Sequence, residues 1–215
     1  EAERHGMEPI NYGAFLDGYH VTREASLVDG AGSSWSCAHG VGRWATDCGC
    51  STGGSEGWNQ KWREPLRAAL DLVKRSADET FDRLGWELFD DPWAARDAYV
   101  DVVIGKTDLA QFLADRGAGR SGAGVAQKMK LLLELQRNAM SIYTSCGWFF
   151  NDIAGIETVQ ILKYAARTID ILDALGQPTP ESAFLRKLAE AKSNDPAKGT
   201  GAEIYLSITP NPTAA

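Results

Sequence analysis

From residue 62 onward, apolar and polar positions along the chain recur with the period of an α-helix; before residue 62 they do not. Trp62, Leu66, Ala69, Leu70, Val73, Ala77, Phe81 and Leu84 follow i, i+3 and i+4 spacing, which places them on one buried face. Asp91-Pro92 pairs an N-cap residue with a proline at the first helical position, opening a helix through Tyr99 and Ile104. Thr107 or Asp108 caps a short helix ending near Gly117, and a glycine-rich break runs from there to Gly124. A long helix is predicted over 125–146, ending around Gly147, and another over 156–175, stopped by Gly176 and Pro178. Thr179-Pro180-Glu181 starts a shorter helix reaching Lys192. A turn of helix over 202–208 precedes Pro210 and Pro212, which end order. There is no alternating strand pattern and no internal repeat. The pattern predicts an all-α fold, a helical bundle with a long ordered Gly/Cys/Trp-rich loop towards its N-terminus.

That loop spans residues 28–59, between an N-terminal segment of residues 1–27 and the bundle of residues 60–208; residues 209–215 form a tail. Glycine and serine are too dense in the loop for a long helix, and at most residues 36–44 form a helical turn. A loop this long in a compact domain is functional or disordered, and its aromatic and thiol side chains argue for order. Between Trp35 and Cys50 lie three of the four cysteines, one of the three histidines and two of the seven tryptophans.

A chain of 215 residues can bury a substantial core. The formal net charge of −7 argues against a nucleic-acid backbone or an anionic membrane as partner. No apolar run approaches the roughly 18 residues needed to span a bilayer. The chain opens without a basic and apolar leader or an initiator Met, so it reads as part of a longer polypeptide. A domain of this size does not need disulfides, and Cys48-Gly-Cys50 is too short to bridge readily to itself. Reduced thiols or a metal site in the cytoplasm fit better.

Four thiolates, or three with His39, complete a tetrahedral zinc shell. The expected ligand set is Cys37, Cys48, Cys50 and Cys146. The spacing is C-x10-C-x-C with a distant fourth cysteine, rather than paired CxxC motifs; an iron–sulfur cluster is the less favoured occupant. The competing reading makes the cysteines small buried hydrophobes. Trp35, Trp44, Trp58 and Trp148 fall outside the periodic stripes, whereas Trp62, Trp86 and Trp93 are assigned to the core. Flat aromatic faces stack on the apolar C–H face of a sugar ring, so Trp35, Trp44 and Trp148, with His39 and Asp152, are the expected substrate-binding residues. Asp47, Asp90, Asp91, Asp152 and Glu157 flank the aromatic segments, but no acid/nucleophile pair is recognisable, and no catalytic residue is assigned.

The segments Ser34-Trp-Ser-Cys-Ala-His-Gly-Val-Gly-Arg-Trp44, Asp47-Cys-Gly-Cys50 and Tyr143-Thr-Ser-Cys-Gly-Trp-Phe-Phe150 resemble the domain of unknown function 3536. So do Asp91-Pro-Trp-Ala-Ala-Arg-Asp97, Gly155-Ile-Glu-Thr-Val-Gln160 and Ser193-Asn194, and the resemblance runs from about Tyr12 to Leu206. It implies a C-terminal helical domain that follows the catalytic barrel of a family-57-type glycoside hydrolase or glucanotransferase in one polypeptide. Such a domain packs on the barrel, lends aromatic residues to an α-glucan cleft, and is inactive alone. Cys146-Gly-Trp148 is similar to a Ser-Asp-Trp element of that family's helical region, with Gly147 replacing the acid. The alternatives are a stand-alone metal-dependent or redox domain built on the cysteines, and a purely structural domain.

Overall fold

A computed structural model describes residues 3–20, 22–26, 32–34, 36–119 and 122–209. Helix α1 (Tyr12–Gly18) stands first, outside the bundle. The bundle follows as α2 (Arg63–Leu88), α3 (Pro92–Ala98), α4 (Val100–Val103), α5 (Leu109–Arg116), α6 (Ala123–Ser141), α7 (Cys146–Phe149), α8 (Ile156–Ala174), α9 (Glu181–Leu188) and α10 (Gly201–Ile208). Among the described residues there is no β-strand, only isolated bridges. The all-α expectation therefore holds.

The organising element is α2. Its 26 residues extend about 39 Å at 1.5 Å per residue, long enough to serve two cores in succession. Its first half carries Leu66, Leu70 and Val73 into a cluster with Trp148, Ile161, Leu162, Phe184, Leu188 and Tyr205. Its second half carries Ala77, Phe81 and Leu88 into another with Tyr99, Phe112, Leu132, Leu135, Ile171 and Leu172. Helices α6, α8 and α9 pack around it. The whole predicted stripe from Trp62 to Phe81 is buried, and Leu84 packs at the edge of the second cluster.

Side-chain caps set the boundaries between helices. Asp91 accepts from the Ala94 N–H at 2.9 Å with Pro92 at the first position of α3, and Asp108 accepts from the N–H groups of Ala110 and Gln111. Thr200 and Glu203 close a reciprocal capping box on α10.

Three expectations change. The helix predicted to run to Cys146 stops at Ser141. The Ser141 hydroxyl donates to the Arg137 carbonyl and the Thr144 hydroxyl to the Ser141 carbonyl, local bonds that compete with the helical ladder just where the chain turns. Cys146 and Trp148 therefore lie on a separate short turn, α7, rather than continuing a face of α6. The helix expected to reach Lys192 likewise ends at Leu188, and a hydrogen-bonded turn carries the chain on to Ala191. Trp86 is 55% exposed instead of buried, because it lies off the stripe of α2; its indole N–H donates to Asp82. The order expected to end at Pro210 and Pro212 falls outside the described residues.

Helices α2 and α3 approach each other closely. A Cβ on Gly85 would sit 2.6 Å from Cβ of Pro92, a rigid ring that cannot rotate away. Gly85→Ala is expected to destabilise the fold by about 1–3 kcal/mol, the usual cost of overpacking. Denaturant unfolding of the two proteins measures it; equal midpoints would contradict this packing.

Candidate metal centre

The loop expected to span residues 28–59 is irregular over its described part, with one 3₁₀ turn at Gly42–Trp44. Two turns shape its centre. The N–H of Gly42 donates to the His39 carbonyl, closing the first loop. Gly49 adopts φ +78°, a left-handed conformation costly for residues with a Cβ, and this lets Cys48 and Cys50 turn their sulfurs to the same side.

The result is a compact set of soft donors. Cys37 Sγ lies 3.7 Å from both Cys48 Sγ and Cys50 Sγ. His39 Nδ1 is 3.4 Å from Cys50 Sγ and 3.8 Å from Cys37 Sγ, and all four donor atoms fall within 4.8 Å of one another. A tetrahedral zinc shell, with Zn–S of about 2.3 Å and Zn–N of about 2.0–2.1 Å, requires S···S edges of about 3.8 Å and S···N edges of about 3.6 Å. Most of the edges match. The donors are three soft cysteine sulfurs with one imidazole, the ligand set zinc takes.

Cys146, expected as the fourth thiol ligand, is exposed and absent from this group; it lines a surface hollow with Glu157, Gln160 and Tyr164. His39 stands in its place. The physical reason is local: the turn closed between His39 and Gly42 brings the imidazole to the sulfurs, whereas Cys146 opens α7 on another face.

The electrostatics favour an anionic sulfur at Cys37. Burial pushes the Cys37 thiol up, but hydrogen bonds from the His39 backbone N–H and ring, and from Cys50 and Cys48, outweigh it and hold the group at about 6. Cys50 is raised, first by the hydrogen bond it shares with Cys37 and then by burial and the neighbouring sulfurs. Fully buried Arg63, on the first turn of α2, points Nη1 at Cys48 Sγ (3.8 Å) and at the Cys50 carbonyl (3.3 Å). Burial lowers its pKa, and the Cys48 thiolate acts in the opposite sense.

The same loop is tied to a segment about a hundred residues away. Buried Arg43 donates to the carbonyls of Ser36 and Phe149 at 2.9 and 3.0 Å and stacks over the Phe149 ring. Trp44 Nε1 donates to the Ser145 carbonyl at 3.0 Å, and the Thr52 N–H donates to Asn151 Oδ1. Arg63 Nη2 reaches the Phe150 carbonyl. The cysteine loop thus meets the segment around Cys146–Asn151, as the sequence suggested, but by backbone carbonyls rather than by a shared thiol.

The expected sugar-binding residues are not gathered into a cleft. Trp148 is 0% exposed and belongs to the main core, against Tyr143 and beneath Arg67, so it offers no face to a ligand. Gly147 explains its position: a Cβ there would lie 2.5 Å from Ile161 Cδ1, so α7 seats directly on α8 and turns the indole inward. The same crowding excludes an acid at residue 147. Asp152 is a structural hub, accepting from Ser193 Oγ and the Ala154 N–H at 2.8 Å and from the Asn194 N–H at 2.5 Å. Those bonds account for the Ser193-Asn194 element. Trp44 is half-buried and held by Ser145, while Trp35 lies outside the described residues. The role of Arg43 and Arg63 had no sequence signal beyond Arg43's place between two candidate ligands.

The fold and this site define an all-α domain with a loop that gathers three thiols and an imidazole into one cluster. The chain belongs to the family described as domain of unknown function DUF3536, whose model matches residues 58–212. No curated protein and no solved structure matches it. The family match covers Arg63 and the segment around Trp148 on which the loop rests, and begins after the Cys/His cluster.

Trp148→Ala is expected to cost about 3–5 kcal/mol, the price of emptying a fully enclosed aromatic site. Thermal or denaturant unfolding checks it; a loss below about 1 kcal/mol would place this indole at a surface instead.

Proposed function

We propose that this protein is a zinc-stapled helical domain, with Cys37, His39, Cys48 and Cys50 holding one ion. The observation that carries the proposal is the set of donor separations, 3.4–3.8 Å among Cys37, His39 and Cys50 and 3.7 Å from Cys37 to Cys48. Four protein donors fill a tetrahedral shell and leave no position for a substrate or an activated water, so the ion is structural rather than catalytic. It closes the cysteine loop, and Arg43, Trp44 and Thr52 then carry that order to Ser145, Phe149 and Asn151. Metal binding of this kind contributes directly to folding.

Chain purified without chelator is expected to contain one zinc per molecule by elemental analysis. Cys37→Ser and Cys48→Ser should lose it, and Cys146→Ser should keep it. Stripping the metal should also speed amide hydrogen exchange in residues 145–151. Protein with no bound metal, or loss of metal in Cys146→Ser alone, would overturn the assignment.

A second reading concerns what the domain is attached to. Every residue of α1 is exposed, including Tyr12, Phe15 and Leu16, and Met7, Ile10 and Tyr19 extend the apolar surface. A seven-residue helix is not stable in water without packing partners, which favours a covering body. On the resemblance set out above, that body is the catalytic barrel of a family-57-type glycoside hydrolase or transferase acting on α-glucan, with the acid and nucleophile on the barrel. No helix of the described residues is long and apolar enough to cross a membrane, so a bilayer-spanning role for these helices does not compete. In the full-length polypeptide, amides of residues 12–19 are expected to be protected from exchange, and in the isolated chain to exchange freely. Equal exchange in both would remove the support that α1 gives to this reading.

A further inference from the structure

Two guanidiniums are buried beside the cysteines, and among the described residues neither is in direct contact with a carboxylate. Arg43 is 3% and Arg63 0% exposed, and among the described residues neither makes an ion pair; their polar partners are the carbonyls of Ser36, Cys50, Phe149 and Phe150 and the sulfur of Cys48. Carbonyls satisfy N–H groups but supply no net charge. A buried cation without a counterion is among the costliest arrangements in a protein interior. The nearest source of negative charge is the donor cluster itself, which with three thiolates around a doubly charged ion carries one net negative charge. Asp47, fixed by the Gln60 N–H at 3.2 Å, acts on Arg63 in the same sense.

We infer that Arg63 is the countercharge of the metal centre, a positioning residue that orients the Cys48 thiolate and raises the affinity of the site for a doubly charged tetrahedral ion. The inference rests on the zinc assignment above. Arg63 Nη1 spans Cys48 Sγ and the Cys50 carbonyl, so one guanidinium nitrogen bridges both ends of the Cys48-Gly49-Cys50 turn. Nη2 on the Phe150 carbonyl anchors the same group to the segment after α7. Arg43, on the loop itself, repeats the arrangement on the Phe149 carbonyl. Two adjacent carbonyls of one segment are thus held by two cations, one from the loop and one from α2. The charge that makes those cations tolerable is the loaded centre. Loading and docking are therefore a single event, with Arg63 as the link.

The test compares wild type, Arg63→Met and Arg63→Lys. Zinc affinity is measured by competition with a chromogenic chelator, and Co²⁺ serves as a spectroscopic probe of the thiolates. Arg63→Met, which keeps the stem and removes the charge, is expected to bind zinc about 10–100-fold more weakly, the range found when outer-shell partners are removed. Its sulfur-to-cobalt charge-transfer band should move to longer wavelength, because Cys48 loses a donor. Arg63→Lys retains the charge and should recover most of the affinity even where it melts at lower temperature. If Arg63→Met does not fold, Arg63→Lys still decides: loss of affinity as large as that range would show that charge is not what the site requires. Wild-type affinity and an unmoved cobalt band in Arg63→Met would also overturn the inference. Failure of wild type to take up zinc would instead overturn the site itself.

Discussion

Two buried arginines hold this structure together where its least regular part meets its most regular part. Arg43 lies on a glycine-rich loop and Arg63 on the first turn of α2, and both donate to the backbone between Phe149 and Asn151. Neither guanidinium could be buried on carbonyls alone without heavy loss, since hydrogen bonds do not replace the lost solvation of a full charge. On the proposed reading a metal centre beside them supplies the missing charge: the loop takes its order from the ion, and the ion's sulfur shell takes its countercharge from the bundle's arginine.

That dependence explains why the residues around Trp148 are so specialised while taking no visible part in chemistry. Gly147 lets α7 sit on Ile161, Trp148 fills the core beneath, and the Phe149 and Phe150 carbonyls face the arginines. Asn151 then ties down Thr52 and Gly53, and Asp152 gathers Ser193 and Asn194. Asn151 and Asp152 thus give hydrogen-bond partners to backbone groups of Thr52, Gly53, Ala154 and Asn194, which fixes irregular segments on the helical bundle. The segment is a receiving surface. Its polar residues serve architecture first.

The helical frame was legible in the sequence because periodicity and caps are local signals: the stripe from Trp62 to Phe81, the Asp91-Pro92 start and the stop at Gly176 all stand where the pattern put them. The concentration of chemistry in residues 37–50, and its meeting with the segment around Trp148, were legible too. Which fourth donor joins the cluster was left between Cys146 and His39. Counting cysteines selected Cys146, but ligand geometry follows from turns at His39 and Gly49 that residue type does not encode. Trp148 read as a platform because it lies off every helical stripe; its burial depends on Gly147 and Ile161, residues 14 apart whose contact no periodicity reports. Helix α1 went unread because a single Asn11 cap and seven residues give too weak a pattern against the loop that follows.

Three sulfurs and one imidazole nitrogen, and not four sulfurs, are proposed to surround a single ion. X-ray absorption at the zinc edge on the purified chain reads that shell directly. Three Zn–S distances of about 2.3 Å and one Zn–N distance of about 2.0–2.1 Å, with the scattering signature of imidazole, are expected. A shell of four sulfurs, which only Cys146 could complete, or the absence of zinc from the sample, would contradict this arrangement.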